Sequence, residues 1–412
     1  MNPRGDRRPR VVVGVGGGIA AYKSCEVIRR LADADVTVVP TEAALKFVGQ
    51  ATFEALSGNP VHSGVFTDVP AVNHVRTGQQ ADLVVIAPAT ADLMARAAAG
   101  RADDLLTSTL LVTRAPVIFA PAMHTEMWTH PATQANVATL RSRGAIVIPP
   151  AVGRLTGPDS GPGRLPEPEH IVELALTVLN RPDALPYDLA GRRVVITAGG
   201  TREELDPVRF LGNRSSGRQG FALALVAAAR GAEVTLIAAN VALPTPPGVR
   251  LVPVTDARSL QAAVVAEAAT ADVVVMAAAV ADFRPANRQE SKIKKVGDLE
   301  PDALALVRNP DILAGLVADR RGAVPLIVGF AAETGDENAD VMTYAREKLR
   351  RKGCDLLVVN RVDGGRAFEV ADNAAVILDS DGGATDVPFG PKTLLAAALW
   401  DAVAARGTGG PG

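Results

Sequence analysis

The chain has 412 residues, 48% of them hydrophobic and 21% charged, with a formal net charge of -2. That describes a soluble globular protein too long for one ordinary core. The near-neutral charge argues against nucleic acid or an anionic membrane as the main partner. The two cysteines, Cys25 and Cys354, give neither a disulfide framework nor a metal-ligand spacing, which fits a cytoplasmic protein.

The basic start, MNPRGDRRPR, precedes an apolar run over 11–15, but glycines interrupt the next residues and Lys23 closes the run. The segment reads as a strand entering a Gly-rich turn rather than as an export signal, and nothing approaches a membrane span. Helical spacing runs over 19–31. Strands are expected at 36–39, 82–86, 117–120 and 146–148. Short apolar strands alternating with helices imply a parallel sheet covered on both faces. The Pro-rich stretch NRPDALPYDLAG then reads as a linker, and the pattern restarts. Strands are expected at 193–197, 234–238, 272–276, 326–329 and 355–359, with a helix over 217–230. The expected fold class is therefore α/β, with two doubly wound parallel-sheet domains: 1–180, a linker at 181–190, and 191–412. ADLVVIAPATAD and ADVVVMAAAVAD echo one another. Each puts small residues and an Asp after a strand, where open α/β sheets bind nucleotides.

Histidine and lysine are unevenly spread. All five histidines, His62, His74, His124, His130 and His170, lie before residue 171. Neutral-pH chemistry by imidazole is thus confined to the first half, unless sites are shared between halves. Lysine is scarce beside arginine, yet Lys292, Lys294 and Lys295 cluster in SKIKK, and Lys348 and Lys352 are spaced as neighbours on one helical face. Compact ammonium groups on flexible stems suit a polyphosphate that moves and leaves.

In the first half Gly16, Gly17, Gly18 and Ile19 join a strand to a helix, where backbone N–H groups bind phosphate without a charged side chain. The spacing is not GxGxxG, which favours a mononucleotide over a dinucleotide. Ala87, Pro88, Ala89 and Thr90 follow a strand end and can line a planar ring, and Thr107 and Ser108 add hydroxyls. Pro121, Ala122, Met123 and His124 follow another strand end, and the loop Gly161 to Arg164 suits a lid. In the second half GGTREELDPVRFLGNRSSGRQG places acids, bases and glycines between strand and helix. Asn213 precedes a helix start, Arg209 can grip a carboxylate or phosphate with two prongs, and Asp282 is placed for a ribose or a divalent cation.

Through GGIAAYK, Asn73-His74, APATADLMARAAAGRADDLLTS, PAMHTEMW and SGPGRLPEP, the first half resembles the flavin-dependent cysteine decarboxylases. It is most similar to the phosphopantothenoylcysteine decarboxylases. The resemblance implies a flavodoxin-like flavoprotein domain with FMN, the phosphate held by Gly17, Gly18, Ile19 and Thr41. It further implies oxidation of the substrate's cysteinyl carbon beside sulfur. The thioaldehyde then lets the carboxylate leave as carbon dioxide, and returned hydride gives 4'-phosphopantetheine. His74 aligns with the catalytic base. Two positions depart from the family. His124 stands where Asn is usual after Pro-Ala-Met, and its imidazole N–H can still donate to the substrate carboxylate. Thr156 stands at the lid cysteine that protonates the enethiolate, and a hydroxyl is a far weaker acid than a thiol of pKa about 8.5. The proton donor is left between water, Thr156 and His124.

The second half resembles phosphopantothenate–cysteine ligase through GGTREELDPVRF, NRSSG, AAAVADFRP, SKIKK, NPDI, GFAAET and AREKLRRK. The resemblance implies a Rossmann-like domain in which the carboxylate of 4'-phosphopantothenate attacks the α-phosphate of CTP. Pyrophosphate leaves, and the amine of L-cysteine displaces CMP from the acyl-cytidylate. Lys292 aligns with an essential lysine, and Asn213 with the residue that holds the acyl-cytidylate. Asp282, Asn309, Pro310, Asp311, Ile312, Phe330, Lys348 and Lys352 align with CTP contacts, and Mg2+ accompanies the triphosphate at Asp282. The implied assembly is a homo-oligomer, trimeric in the flavin half and dimeric in the ligase half, closing as a dodecamer. Two other classes compete. A two-domain NAD(P)-binding oxidoreductase would need no lysine cluster and lacks GxGxxG here. A non-catalytic flavin-storage protein is open for the first half alone, because of Thr156.

Overall fold

The computed structural model describes residues 7–62, 73–155, 159–293, 304–333, 341–361 and 372–407. The chain divides into two compact units, the first formed mainly by residues 1–187 and the second mainly by 188–412.

In the first unit β1 (Arg10–Val15), β2 (Asp35–Pro40), β3 (Leu83–Ala89), β4 (Val117–Pro121) and β5 (Ile146–Val147) form an all-parallel sheet in the order β2-β1-β3-β4-β5. This is the flavodoxin-like order, in which winding reverses between β1 and β3 and opens a crevice beyond the strands' carboxyl ends. Every residue of β3 is buried, as a parallel strand covered on both faces requires. The helices are α1 (Ser24–Arg30), α2 (Gln50–Ser57), α3 (Asn73–Gln80), α4 (Ala91–Ala98), α5 (Leu105–Val112), α6 (Thr125–Thr129), α7 (Pro131–Ser142) and α8 (Pro168–Asn180). Val12, Val84, Ile86, Leu93 and Phe119 share one core cluster, and each large apolar side chain there contributes about 1.5–3 kcal/mol on burial.

Two local expectations are corrected. The helical stretch over 19–31 starts as a 3-10 turn, Ile19–Lys23, before α1. Gly161 to Arg164 is not a loop. It lies in β7 (Ser160–Arg164), which pairs antiparallel with β6 (Ala151–Arg154) in a hairpin.

The second unit begins with β8 (Arg193–Gly199), β9 (Arg202–Glu204), β10 (Phe210–Gly212), α9 (Arg218–Ala229), β11 (Glu233–Ala239), β12 (Val249–Val254), α10 (Ala257–Ala268) and β13 (Val273–Met276). It continues through β14 (Phe283–Pro285), β15 (Leu306–Arg308), α11 (Ile312–Asp319), β16 (Leu326–Glu333), α12 (Val341–Lys352), β17 (Leu356–Arg361), β18 (Asp372–Asp379), β19 (Ala384–Pro391) and α13 (Lys392–Gly407). Its main sheet runs β12-β11-β8-β13-β16-β17-β18-β19. The first six strands are parallel in the Rossmann order, with the switch point between β8 and β13. β18 and β19 are antiparallel, so this sheet is mixed rather than purely parallel. Neither they nor β12 are legible as strands. β12 carries Pro253 and β19 carries Pro388, and each is an edge strand, where a missing N–H is tolerated. Trp400 of α13 is fully buried, and its indole Nε1–H donates to the Leu223 carbonyl at 3.0 Å, which ties the C-terminal helix to α9.

Candidate active sites

In the first unit the loops after β1, β2 and β3 meet at the switch point. The Gly16 N–H donates to the Pro88 carbonyl at 3.0 Å, and a Cβ on Gly16 would lie 2.5 Å from that oxygen. A Cβ on Gly17 would collide with the Ala43 side chain and come within 2.9 Å of its carbonyl carbon. Only glycines let these backbones approach so closely. Thr41 is buried. Its hydroxyl donates to the Val15 carbonyl at 3.3 Å and accepts from the Ala44 N–H at 3.2 Å. The result is a cleft of about 1350 Å3. Gly17, Gly18, Ile19, Thr41, Pro88, Thr90, Met123 and His124 all line it.

Not every expected residue faces this cleft. Ala87 and Ala89 are buried strand residues, absent from its lining. Thr107 and Ser108 are buried and also lie off it. The Thr107 hydroxyl donates to the Asp104 carboxylate at 2.7 Å within a capping box that starts α5. Thr90 divides its duties, since its hydroxyl caps α4 by accepting from the Leu93 N–H at 3.3 Å. His124 is exposed at the start of α6, and its imidazole makes no cap there. His74 sits in the first turn of α3, with its side chain outside the described residues, and Thr156 lies outside them altogether.

Other charged residues of the cleft lie inside the sequence motifs, but the motifs do not show which of them pair. Arg96 reaches Asp104 at 2.7 Å, Asp92 at 3.0 Å and Asp103 at 3.1 Å. Burial works against its charge, but the hydrogen bonds to Asp104 and Asp103 prevail and raise the guanidinium pKa. Lys23 meets Glu167 at 3.2 Å, and Arg164 meets the same carboxylate at 2.5 Å, which fastens β7 to the start of α8. Beside Gly161 of β7, Thr125 Oγ1 is buried without a hydrogen-bond partner among the described residues. Charged residues spread over three loops have no fixed spacing, so sequence alone could not pair them.

In the second unit the loop after β13 is stitched to the loop after β8. The Ala279 N–H donates to the Gly199 carbonyl at 2.8 Å, and the Ala281 N–H to Thr201 Oγ1 at 2.9 Å. Onto that frame the Asn213 side-chain amide donates to the Val280 carbonyl at 2.9 Å. The Asn309 backbone N–H donates to the Asp282 carbonyl, and its side-chain amide to the Ala281 carbonyl, each at 2.8 Å. Arg284, missed in the sequence, donates to Asn309 Oδ1 at 3.1 Å. Asn213, Asp282 and Asn309 therefore gather at the carboxyl end of β13, where Asp282 is exposed. Phe330 is half-buried on β16, the next strand. Pro310 leads into α11, whereas Ile312 is buried in the core and offers the site no side chain.

Asp311 caps α11 by accepting from the Ala314 N–H at 3.1 Å and pairs with Lys352. Burial alone would raise the Asp311 pKa, but the Lys352 ammonium holds it below the usual carboxylate range. A depressed carboxylate pKa contributes stability that is complete above the unfolded pKa and is lost as pH falls through the folded one. The excess stability of the native chain over Asp311→Asn, read by denaturant melts, should therefore shrink below about pH 4. The pair is half-exposed, so the excess at neutral pH should be under about 1 kcal/mol. Lys348 lies one turn before Lys352 on α12. Lys292 is exposed. Its neighbour Ile293 is tied to Arg209, whose guanidinium donates to the Ile293 carbonyl at 3.4 Å. Lys294 and Lys295 lie outside the described residues. Among the described residues no three His, Cys, Asp or Glu side chains cluster to hold a metal ion, and no helix is long and apolar enough to cross a membrane.

A flavodoxin-order unit with a glycine-lined cleft precedes a Rossmann-order unit with a polar switch point, and known families match both halves. Residues 1–180 match the Flavoprotein family. Residues 189–406 match the family described as DNA/pantothenate metabolism flavoprotein C-terminal domain. The chain is thus a flavoprotein fused to that C-terminal domain. Coenzyme A biosynthesis bifunctional protein CoaBC of Mycolicibacterium smegmatis is 65% identical over 405 residues, covering 97% of this chain and 98% of the relative. The protein of the same name from Escherichia coli K12 is 43% identical over 404 residues, covering 96% and 97%. A solved C-terminal domain of CoaBC is 35% identical, covers 53% of this chain and 97% of its own, and aligns with a TM-score of 0.45. The chain belongs to the bifunctional coenzyme A biosynthesis proteins and combines a phosphopantothenate–cysteine ligase with a phosphopantothenoylcysteine decarboxylase.

Proposed function

We propose that residues 191–412 ligate 4'-phosphopantothenate to L-cysteine with CTP through an acyl-cytidylate. Residues 1–180 then decarboxylate the product with FMN, and 181–190 link the two. One observation supports the ligase reading most. Asn213, Asp282 and Asn309 meet at the carboxyl end of β13, and the Asp311–Lys352 pair follows at the amino end of α11, the part of a Rossmann-order sheet suited to a nucleotide. Asn213 holds the activated acyl group, Arg209 faces the phosphopantothenate, and Lys292 neutralises charge developing on the α-phosphate and departing pyrophosphate. Lys348 and Lys352 attract the triphosphate. Asp282 offers the one carboxylate that Mg2+ needs when most of its ligands are water and phosphate.

The first cleft fits FMN. Gly17, Gly18 and Ile19 turn backbone at the end of β1 beside the buried Thr41 hydroxyl, and Pro88 and Thr90 line the cleft next to that turn. FMN, when bound there, supplies the reversible two-electron oxidation of the cysteinyl carbon. His74 removes the proton, Met123 and His124 hold the substrate carboxylate, and Thr156, His124 or water returns a proton to the enethiolate. Ala87, Ala89, Thr107 and Ser108 act through the backbone or by supporting the walls. A cytoplasmic homo-oligomer, closing as a dodecamer, belongs to the same reading. Labelled phosphopantothenate with cysteine, Mg2+ and CTP should yield phosphopantothenoylcysteine, pyrophosphate and then phosphopantetheine in sequence. Ligation that proceeds without nucleotide, or without pyrophosphate release, overturns it.

A further inference from the structure

The segments 204–209 and 288–293 run beside one another and are fastened at several points. Arg288 pairs with Glu204 at 2.5 Å, and the Gln289 N–H donates to the Leu205 carbonyl at 2.9 Å. At the end of this seam the Ile293 N–H donates to Asp206 Oδ2 at 3.2 Å. The other oxygen of the same carboxylate, Oδ1, accepts from the Val208 and Arg209 N–H groups, each at 2.8 Å. The Asp206 side chain is fully buried, although it is an acid in a surface turn. The Arg209 guanidinium stands 3.9 Å away, too far for a tight pair. A buried carboxylate is kept only where donors are aimed at it. Here two donors come from its own turn and the third from the residue after Lys292.

We propose that Asp206 is a positioning residue of the ligase: its two carboxylate oxygens lock the 206–209 turn to Ile293 and so fix the root from which Lys292 reaches the reacting phosphate. This rests on the role of Lys292 in ligation given above. The division between the oxygens makes the idea testable. Oδ1 is spent on the turn and Oδ2 on the Lys292 segment. In Asp206→Asn the carbonyl oxygen can still serve the turn, while the amide cannot accept from the Ile293 N–H. A lysine displaced by about an ångström has lost its geometry for the transition state, not its charge.

The test uses the full-length chain, with decarboxylation of supplied phosphopantothenoylcysteine as the internal control for folding. Asp206→Asn should lower ligase kcat by about tenfold to a hundredfold, with KM for CTP nearly unchanged and decarboxylation intact. Hydrogen exchange at the Ile293 amide should accelerate. Asp206→Glu, which keeps both acceptors, should recover part of the loss. In a Lys292→Ala background Asp206→Asn should add little, because residues acting as a unit are not additive. Full ligase activity in Asp206→Asn, or an undiminished further loss on top of Lys292→Ala, overturns the inference. A fully active Lys292→Ala would instead overturn the role of Lys292 itself, so the two failures are distinct.

Discussion

Lys292→Ala should abolish most ligation and leave decarboxylation untouched. Pyrophosphate release with CTP, phosphopantothenate and cysteine should fall by about a hundredfold to a thousandfold, the usual loss when one preorganised electrostatic group is removed from a transition state. The loss should fall on kcat rather than on KM. Lys292 is exposed, so its charge is screened in the ground state and gains strength only as substrates exclude water. Lys348 and Lys352 contribute differently. Lys352 already neutralises Asp311, and their positions on α12 fit attraction of the whole triphosphate, an interaction equal in ground and transition states. Lys352→Gln should therefore raise KM for CTP and largely spare kcat. Equal effects of the two substitutions on kcat would show that Lys292 is one member of a general basic surface, with no special place at the reacting phosphorus.

The scarcity of lysine singles out this cluster, and the strand–turn–helix alternation gives both units and most parallel strands within a residue or two. The elements that escaped did so for physical causes. β12 and β19 are the sheet's edge strands, where half-exposure and prolines dilute the apolar run, while β18 beside the edge offers only the short buried run Ala375 to Leu378. Gly161 to Arg164 is glycine- and proline-rich, yet forms a strand because β6 lies across from it. Thr107 has the composition of a ligand hydroxyl, but a carboxylate three residues earlier claims it as a helix cap. Asn240, in the left-handed region at φ 54°, donates to the Gly200 carbonyl at 2.9 Å and the Thr255 carbonyl at 2.8 Å, bridging two loops of the second unit. A lone Asn after a strand cannot announce partners 40 and 15 residues away. The same limit hid Asp206, which reads as one acid among several until its partner at Ile293 is known.

Gly17→Ala should yield a protein that ligates normally but is colourless and fails to decarboxylate. The added methyl has nowhere to go, because it meets both the side chain and the backbone of Ala43. Backbone cannot swing aside as a long side chain can, so the loop after β1 or the loop carrying Thr41 must move. Those two loops together line one end of the cleft, the end proposed for the FMN phosphate, and N–H groups shifted by even half an ångström no longer converge on one anion. Overpacking of this kind costs about 1–3 kcal/mol. Charged to flavin binding, that is a loss of roughly tenfold to a hundredfold in affinity. Visible flavin absorbance after gel filtration, with added FMN titrated back, measures it directly. Gly49→Ala is the internal control, since no atom lies within 4 Å of its added carbon and Gly49 lies outside the cleft lining. That variant should stay yellow. A yellow, active Gly17→Ala would mean that the flavin phosphate is held elsewhere in the cleft.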